Sequence, residues 1–297
     1  MTIYLNGQYL PIEEAKISVL DRGFIFGDGV YEVIPVYSRK AFRLEEHLRR
    51  LQHSLDGIRL ANPHSNAEWA RIIDELVARN AGEDQYLYLH ITRGVARRDH
   101  AFPNPPVNPT VFMMSSPLLT PPAELLHSGI ACITAPDNRW LRCDIKAIAL
   151  LPNVLLRQMA VDAGCAETIL IRPESITSDP ATGGEFMTEG AASNIFVVKD
   201  GTLLAPPKDN LMLPGITYDV VLELAAANGI PHEVRRIAVA EVFAADELLL
   251  TSSTKEVLAI TQLDGKPIGS GKPGAMFARL HALYQDFKRD VMRKKQD

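Results

Sequence analysis

Apolar and polar positions alternate through "TIYLNGQYL" (Thr2 to Leu10), with Asn6-Gly7 at the centre. Period-two alternation around an Asn-Gly pair predicts a two-residue β-hairpin. A second hairpin is expected where "VYEVIPVY" and "AFRL" flank a turn at Ser38-Arg39-Lys40. The period then changes. Leu44, Leu48, Leu51 and Leu55 recur at helical spacing, and Trp69, Ile72, Ile73, Leu76 and Val77 form one apolar face of "SNAEWARIIDELVARN". Ser65 and Glu68 at the head of that segment make a capping-box pattern. With "QYLYLHITRG" and "TVFMMSS" as strands, the first part of the chain reads as an antiparallel sheet with helices packed on it.

The pattern breaks at "SSPLLTPPAELLHSG", where Pro117, Pro121 and Pro122 mark a linker. Beyond it, "GIACITAP", "IKAIAL", "ETILIR", "NIFVVKDGTLLA", "ELLLTSS" and "VLAITQLDGKPI" read as strands, two of them broken by Asp-Gly turns. "PNVLLRQMAVDAG", "GITYDVVLELAAANG" and "AMFARLHALYQDFKRDVMRK" read as helices. Strands and helices mix without strict alternation, so an α+β pair of domains is expected: a smaller one over residues 1–116, a linker over 117–128 and a larger one over 129–297. "PESITSDPATGGEF" (Pro173 to Phe186), rich in Pro, Ser, Thr, Asp and Gly, reads as a loop.

Composition narrows the function classes. The 297 residues are 46% hydrophobic and 23% charged with a net charge of −5, and no dense basic block suits nucleic acid. No apolar run is long enough for a membrane span, and "MTIYLNGQYL" lacks the shape of a signal peptide. Cys132, Cys143 and Cys165 form no close pair and no metal-ligand spacing, so a reduced, cytoplasmic protein without a metal is expected.

One residue then demands an account. Lys146, in "RCDIKAIALLPN", is the only lysine from Ala41 to Val198; the other strongly basic side chains there are arginines. Arginine keeps its proton, whereas a desolvated lysine can lose it, so this position reads as one that needs a neutral amine. Ile145, Ala147 and Ile148 would supply dry surroundings. The bland alternative is a snorkelling edge-strand lysine. A reactive lysine amine forms a Schiff base with a carbonyl, directly or through pyridoxal phosphate (PLP). PLP also needs an acid for its pyridine nitrogen and a cup for its phosphate. Glu189, beside small residues in "TEGAASNIFVV", is the candidate acid. The helix start at Gly215, Ile216 and Thr217 is a candidate cup, as are the hydroxyls of "TSSTKE" and the Arg50 side chain. "TRGVARRDHAFPNPP" gathers Arg93, Arg97, Arg98 and His100 in one loop suited to a carboxylate. Taken singly, each has an ordinary structural explanation: a solvated acid, a helix cap, a turn, a surface arginine, a solvated basic loop.

Their order is specific. "FGDGVYE", "EHLRRL", "TRG", "RWLRCDIK", "TEGAASN", "LPGIT" and "TSST" follow one another over nearly the whole chain. The set resembles the class IV aminotransferases, PLP enzymes of fold type IV, with a larger domain built on a barrel-like sheet. The resemblance implies Lys146 as the Schiff-base lysine and proton shuttle and Glu189 as the partner of the pyridine nitrogen. It also implies Arg50, the Ile216 and Thr217 amides, Ser253 and Thr254 around the phosphate, and Leu213 against the cofactor ring. Within the family, Tyr31 and the Arg98-x-His100 pair resemble the substrate-carboxylate site of D-amino-acid aminotransferases, in which the loop reaches the neighbouring subunit; a homodimer follows. The implied reaction is transamination between D-amino acids such as D-alanine or D-glutamate and 2-oxo acids. A branched-chain L-amino-acid aminotransferase and an (R)-amine transaminase share the fold, but the branched-chain pattern Tyr-Glu-Gly-x-Arg is not met by "YEVIPVY". The alternative from another class is a non-catalytic module that binds a phosphate ligand at the Gly215 helix start. Tyr218 stands where an arginine is common, and Ala191 and Ala192 stand where serines are common.

Overall fold

The computed structural model describes residues 1–173 and 184–293, so most of the Pro173–Phe186 stretch lies outside the described residues. Contacts divide the chain into two units. One comprises Met1–Leu119 with Ile145–Leu150; the other comprises Thr120–Asp144 with the described residues between Leu151 and Arg293.

In the first unit, β1 (Thr2–Leu5) and β2 (Gln8–Pro11) form the expected hairpin, with Asn6 and Gly7 at φ of 47° and 93°. Both central residues in the left-handed region are what an Asn-Gly turn of this length requires. Then come α1 (Arg22–Phe26), β3 (Gly29–Tyr37), β4 (Lys40–Ala41), α2 (Leu44–Gly57), α3 (Asn66–Arg79), β5 (Gln85–Thr92) and β6 (Thr110–Pro117). The strands form one antiparallel sheet in the order β2-β1-β6-β5-β3-β4. The Ser65–Glu68 capping box is present at the head of α3. Leu48, Leu51 and Leu55 of α2 and Trp69, Ile72, Ile73 and Leu76 of α3 pack with Val30, Ile34, Leu87, Leu89 and Ile91 in one core. Each such side chain, fully buried, stabilises the fold by roughly 1.5–3 kcal/mol before entropy is counted.

The stretch "IKAIAL" is not the strand its apolar pattern predicts. Residues 145–150 are irregular, with one isolated bridge between Val30 and Ala147. β4 pairs only with the far end of β3, at Val36 and Tyr37, leaving the edge at Gly29–Tyr31 for this segment. The Tyr31 N–H donates to the Lys146 carbonyl (3.0 Å), the Ile148 N–H to the Gly29 carbonyl (3.1 Å) and the Lys146 N–H to Ser54 Oγ (3.1 Å). These bonds and the burial of Ile145 join residues 145–150 to the first unit rather than to the 129–297 domain in which the linear reading put them.

The second unit contains α4 (Ala123–Ser128), within the proline-rich stretch, then β7 (Ile130–Pro136), α5 (Leu151–Asp162), β8 (Glu167–Pro173), β9 (Glu185–Gly190), β10 (Asn194–Lys199) and β11 (Thr202–Ala205). It continues with α6 (Ile216–Ala227), β12 (His232–Val234), β13 (Ile237–Ala238), α7 (Val239–Phe243), β14 (Glu247–Ser252), β15 (Glu256–Leu263), β16 (Lys266–Pro267) and α8 (Ala275–Lys288). The sheet order is β12-β11-β10-β14-β15-β7-β8-β9-β13, with β16 on β15, and the sheet curls into a half-barrel. Pairs β7–β8, β15–β7 and β11–β12 are parallel and the others antiparallel, which is the mixed α+β character expected. Its core joins Ile169, Ile195, Val197, Leu248, Leu250 and Ile260. Among the described residues no helix is long and apolar enough to cross a membrane.

Candidate functional site

Lys146 is half-buried, between the docked Ile145 and the partly buried Ala147. Its Nζ lies 4.1 Å from the centre of the Tyr31 ring. Within this unit, no ion pair to Lys146 is found among the described residues. Tyr31 in turn lies 5.7 Å, centre to centre, from Tyr88, whose hydroxyl is within 2.8 Å of His90 Nδ1. Burial, and after it the neighbouring Tyr31, pushes the Tyr88 phenol up to about 12. Tyr88 therefore stays neutral and available as a hydrogen-bonding group at ordinary pH.

Arg50 is not the surface arginine its helix position suggests. It is buried on α2 and makes a fork on Glu32 of β3, with Nε to Oε1 at 2.8 Å and Nη2 to Oε2 at 2.7 Å. His47 Nδ1 completes the carboxylate at 2.8 Å. Burial alone would raise the Glu32 carboxyl; Arg50 first and His47 second hold it well below the ordinary carboxylate range. The lone acid inside the apolar run "VYEVIPVY" is the sequence signal for this pair.

Arg98 and His100 are exposed on the loop after β5. Arg93, expected to act with them, is a scaffold residue instead. It is buried, forks onto both oxygens of Asp28 (2.8 and 3.0 Å) and donates to the Ile58 carbonyl at 2.7 Å. Arg97 is exposed on the same loop.

In the second unit, Glu189 sits near the end of β9, buried rather than solvated. Its Oε1 accepts from Arg139 Nη1 (2.6 Å) and the Leu213 N–H (3.1 Å); Oε2 accepts from Asn194 Nδ2 (3.1 Å). Arg139 also forks onto Asp137, at 2.9 Å from both Nε and Nη2. Asp137 takes Arg172 Nε (2.8 Å) and Thr188 Oγ1 (2.9 Å) as well. Burial pushes the Glu189 carboxyl above its ordinary range, and Arg139 only partly offsets this. Arg139, between two acids, stays firmly charged despite its own burial. Arg139, Asp137, Arg172 and Asn194 are functional candidates that the linear reading did not single out, although Arg139 opens the quoted "RWLRCDIK" and Asn194 closes "TEGAASN".

The Leu213 backbone is tied through both of its polar groups, its N–H to Glu189 and its carbonyl to Asn194 Nδ2 (3.0 Å). Two residues on, Gly215 is the N-cap of α6 and gives it no side-chain cap. Ile216 and Thr217 form the first turn, both buried, so Thr217 is not the cap. A Cβ at Gly215 would meet Asn194 Oδ1 at 2.0 Å, which is why glycine stands there. Tyr218, in place of the common arginine, is buried, stacks on Phe196 at 4.9 Å and donates to the Pro206 carbonyl at 2.7 Å. Ser253 and Thr254 lie half-buried in the turn between β14 and β15, closed by the Lys255 N–H on Ser252 Oγ at 3.1 Å. Ala191 is buried, and its carbonyl accepts from Asn153 Nδ2 at 2.8 Å.

The protein is an aminotransferase: the class IV amino-transferase family model matches residues 29–263, and the chain belongs to that family. The chain is 38% identical to a D-alanine aminotransferase of Bacillus licheniformis over 96% of each chain. It is 36% identical to that of Staphylococcus epidermidis over 96% of this chain and 97% of the relative. Among solved structures, a branched-chain amino acid aminotransferase from Escherichia coli matches at a TM-score of 0.84 and 26% identity, covering 100% of this chain and 96% of the other. The protein is a PLP-dependent transaminase with amino acid and 2-oxo acid substrates. The donor chemistry fits PLP: an amine on an aromatic face, a buried carboxylate of raised basicity, and a helix start without a side-chain cap.

Proposed function

We propose that this transaminase acts on D-amino acids of the D-alanine and D-glutamate type with 2-oxo acids as acceptors. The carrying observation is the Lys146 amine on the Tyr31 ring. A group that would move the proton thereby faces a group that would take the substrate carboxylate. Identity to the D-alanine aminotransferases is 36–38% over nearly full length, against 26% for the Escherichia coli branched-chain enzyme. The backbone likeness to that enzyme keeps a branched-chain reading as the competitor.

In this reading bound PLP supplies the sink for the electrons left when the α-proton departs. Lys146 would hold the cofactor, and its Nζ would take and return that proton. Glu189 would keep the pyridine nitrogen protonated; its raised basicity suits a firm hydrogen bond to an N–H donor. Arg50, the Ile216 and Thr217 amides, Ser253 and Thr254 would hold the phosphate, and Leu213 would pack on the ring. Tyr31, Arg98 and His100 hold the carboxylate, and fixing it fixes which face of Cα meets the amine.

The enzyme works as a homodimer, with Arg98 and His100 serving the neighbouring subunit's site. In support, α5 exposes Leu151 (69%), Val154 (59%), Leu155 (57%) and Met159 (47%) on one helical face, a stripe that a second copy would cover. The free thiols of Cys132, Cys143 and Cys165 suit a reducing compartment, the cytoplasm.

The test is an enantiomer-resolved half-reaction. PLP-loaded enzyme is mixed separately with D-alanine, D-glutamate and L-leucine, and conversion to the pyridoxamine form is followed by absorbance. The D-amino acids should convert it, and Lys146→Ala should abolish both the lysine-linked absorbance and the conversion. Conversion by L-leucine with D-alanine inert would move the assignment to the branched-chain reading. Light scattering at the mass of a single chain would refute the dimer.

A further inference from the structure

The loop that carries Arg98 and His100 is exposed and punctuated by Pro103, Pro105 and Pro106, yet its backbone is tied from behind by one buried side chain. Arg22 of α1 donates from Nη1 to the carbonyls of Asp99 (2.6 Å) and Ala101 (3.2 Å), and from Nη2 to that of His100 (3.5 Å). One guanidinium thus spans the carbonyls of three consecutive residues, one of them His100 itself. Nε is held by Asp28 at 2.8 Å, and Asp28 is held in turn by the Arg93 fork. Arg93 lies 3.7 Å over the ring of Phe102, the next residue of the same loop. α1 itself is anchored. Asp21 Oδ1 caps it through the Gly23 N–H (2.7 Å), and Oδ2 accepts from Thr110 Oγ1 (2.6 Å).

The last residue of α1 is Phe26, and three groups converge on its ring. Arg22 Cζ lies 4.8 Å from the ring centre, Arg98 Cζ 5.4 Å and the His100 ring centre 5.4 Å. A positive guanidinium is attracted to an aromatic face, and an imidazole packs on it. Arginine is a long, flexible side chain, and ordering it at the moment of binding costs affinity. A ring that already gathers Arg98 and His100 removes part of that cost and presents their donors side by side.

Resting on the carboxylate role proposed above for Arg98 and His100, we propose that Phe26, fixed on α1 by the Arg22 anchor, is the positioning residue for that pair and thereby sets selection of the substrate carboxylate. Phe26 itself donates nothing to substrate. Its effect lies in carboxylate binding and not in the proton transfer at Lys146.

The experiment compares Phe26→Ala, Phe26→Tyr and Arg98→Ala with the parent, all full-length and PLP-loaded. Three quantities are read: KM and kcat for D-alanine, and the competitive inhibition constant of propanoate, a probe with a carboxylate and no amine. Phe26→Ala should raise KM for D-alanine and the propanoate constant together, on the order of tenfold, while kcat at saturation and the lysine-linked absorbance hold. Phe26→Tyr keeps the ring and should stay near the parent in both. Phe26→Ala with parent KM and propanoate constant, or with lowered kcat and unchanged KM, would overturn the proposal. Arg98→Ala separates the two levels. If it raises KM while Phe26→Ala does not, the positioning role alone falls. If it too leaves KM unchanged, the carboxylate role of Arg98 falls, and the positioning role with it.

Discussion

Replacing Arg139 by leucine tests whether the buried ion pair around Glu189 works as a unit. The substitution removes the 2.6 Å contact to Glu189 and the fork on Asp137. Asp137 keeps Arg172 and Thr188, so the loss falls mainly on Glu189. That carboxylate, only 3% exposed, retains two neutral donors among the described residues, the Leu213 N–H and Asn194 Nδ2. Removing one partner of a buried pair costs about 3–5 kcal/mol, and the surviving donors place this case near the lower end. Glu189 can escape the penalty by binding a proton, at about 1.4 kcal/mol per pKa unit. Its folded-state pKa is raised already and would rise further without Arg139. A carboxyl whose folded pKa lies above its unfolded value favours the fold below the unfolded pKa and loses that contribution as pH rises through the folded pKa. The stability deficit of Arg139→Leu should therefore be small in acid and grow toward neutral pH. Urea unfolding at several pH values with saturating PLP measures it. Arg139→Leu with Glu189→Gln, which removes both charges, should recover part of the neutral-pH loss. If Glu189 has the role proposed for it toward the pyridine nitrogen, its neutralisation should also lower kcat on the order of a hundredfold. A deficit under about 1 kcal/mol at neutral pH would refute this account, as would one of constant size across pH.

Two further expectations follow from the same buried groups. Burial alone would raise the carboxyls of Asp28, Glu32 and Asp137, but their arginine partners hold all three below the ordinary range, while burial holds His47, His90 and His281 below theirs. Each depressed group contributes stability above its unfolded pKa and loses it as pH falls through its folded pKa, so the urea midpoint should decline first through the histidine range and then through the carboxylate range; a flat profile would contradict these assignments. Gly215→Ala would put a methyl group 2.0 Å from Asn194 Oδ1, at an ordinary backbone φ of −70°, so crowding and not conformation is the fault. Displacing Asn194 should cost about 1–3 kcal/mol and speed the loss of PLP on dialysis, whereas parent-like retention would disconnect Asn194 from cofactor binding.

What could be read from the linear chain divides by distance. The Asn6-Gly7 hairpin and the Ser65–Glu68 box are made by residues within a few positions of one another, so their chemistry is complete in a short window. The residue types around Lys146, Arg50 and Glu189 were legible for a similar reason: a lone lysine among arginines, an arginine on an amphipathic helix, an acid among small residues. Their settings were not. Lys146 lies in irregular chain because β4 is too short to cover the edge of β3, a property of the sheet and not of "IKAIAL". Arg50 meets Glu32 from 18 residues away, and Arg139 meets Glu189 from 50. α1 has five residues, too few to show a period, and it carries both Arg22 and Phe26. Nothing local separates Arg93, clamped on Asp28, from Arg98, exposed on the same loop. One signal does reach across that gap. Glu32 and Glu189 both stand in runs otherwise made of apolar or small residues. A carboxylate buried without a cation is too costly to persist, so each such acid implies a buried arginine elsewhere in the chain. The inference supplies the existence of Arg50's and Arg139's roles before any fold is known, and it leaves only the choice among arginines to the structure.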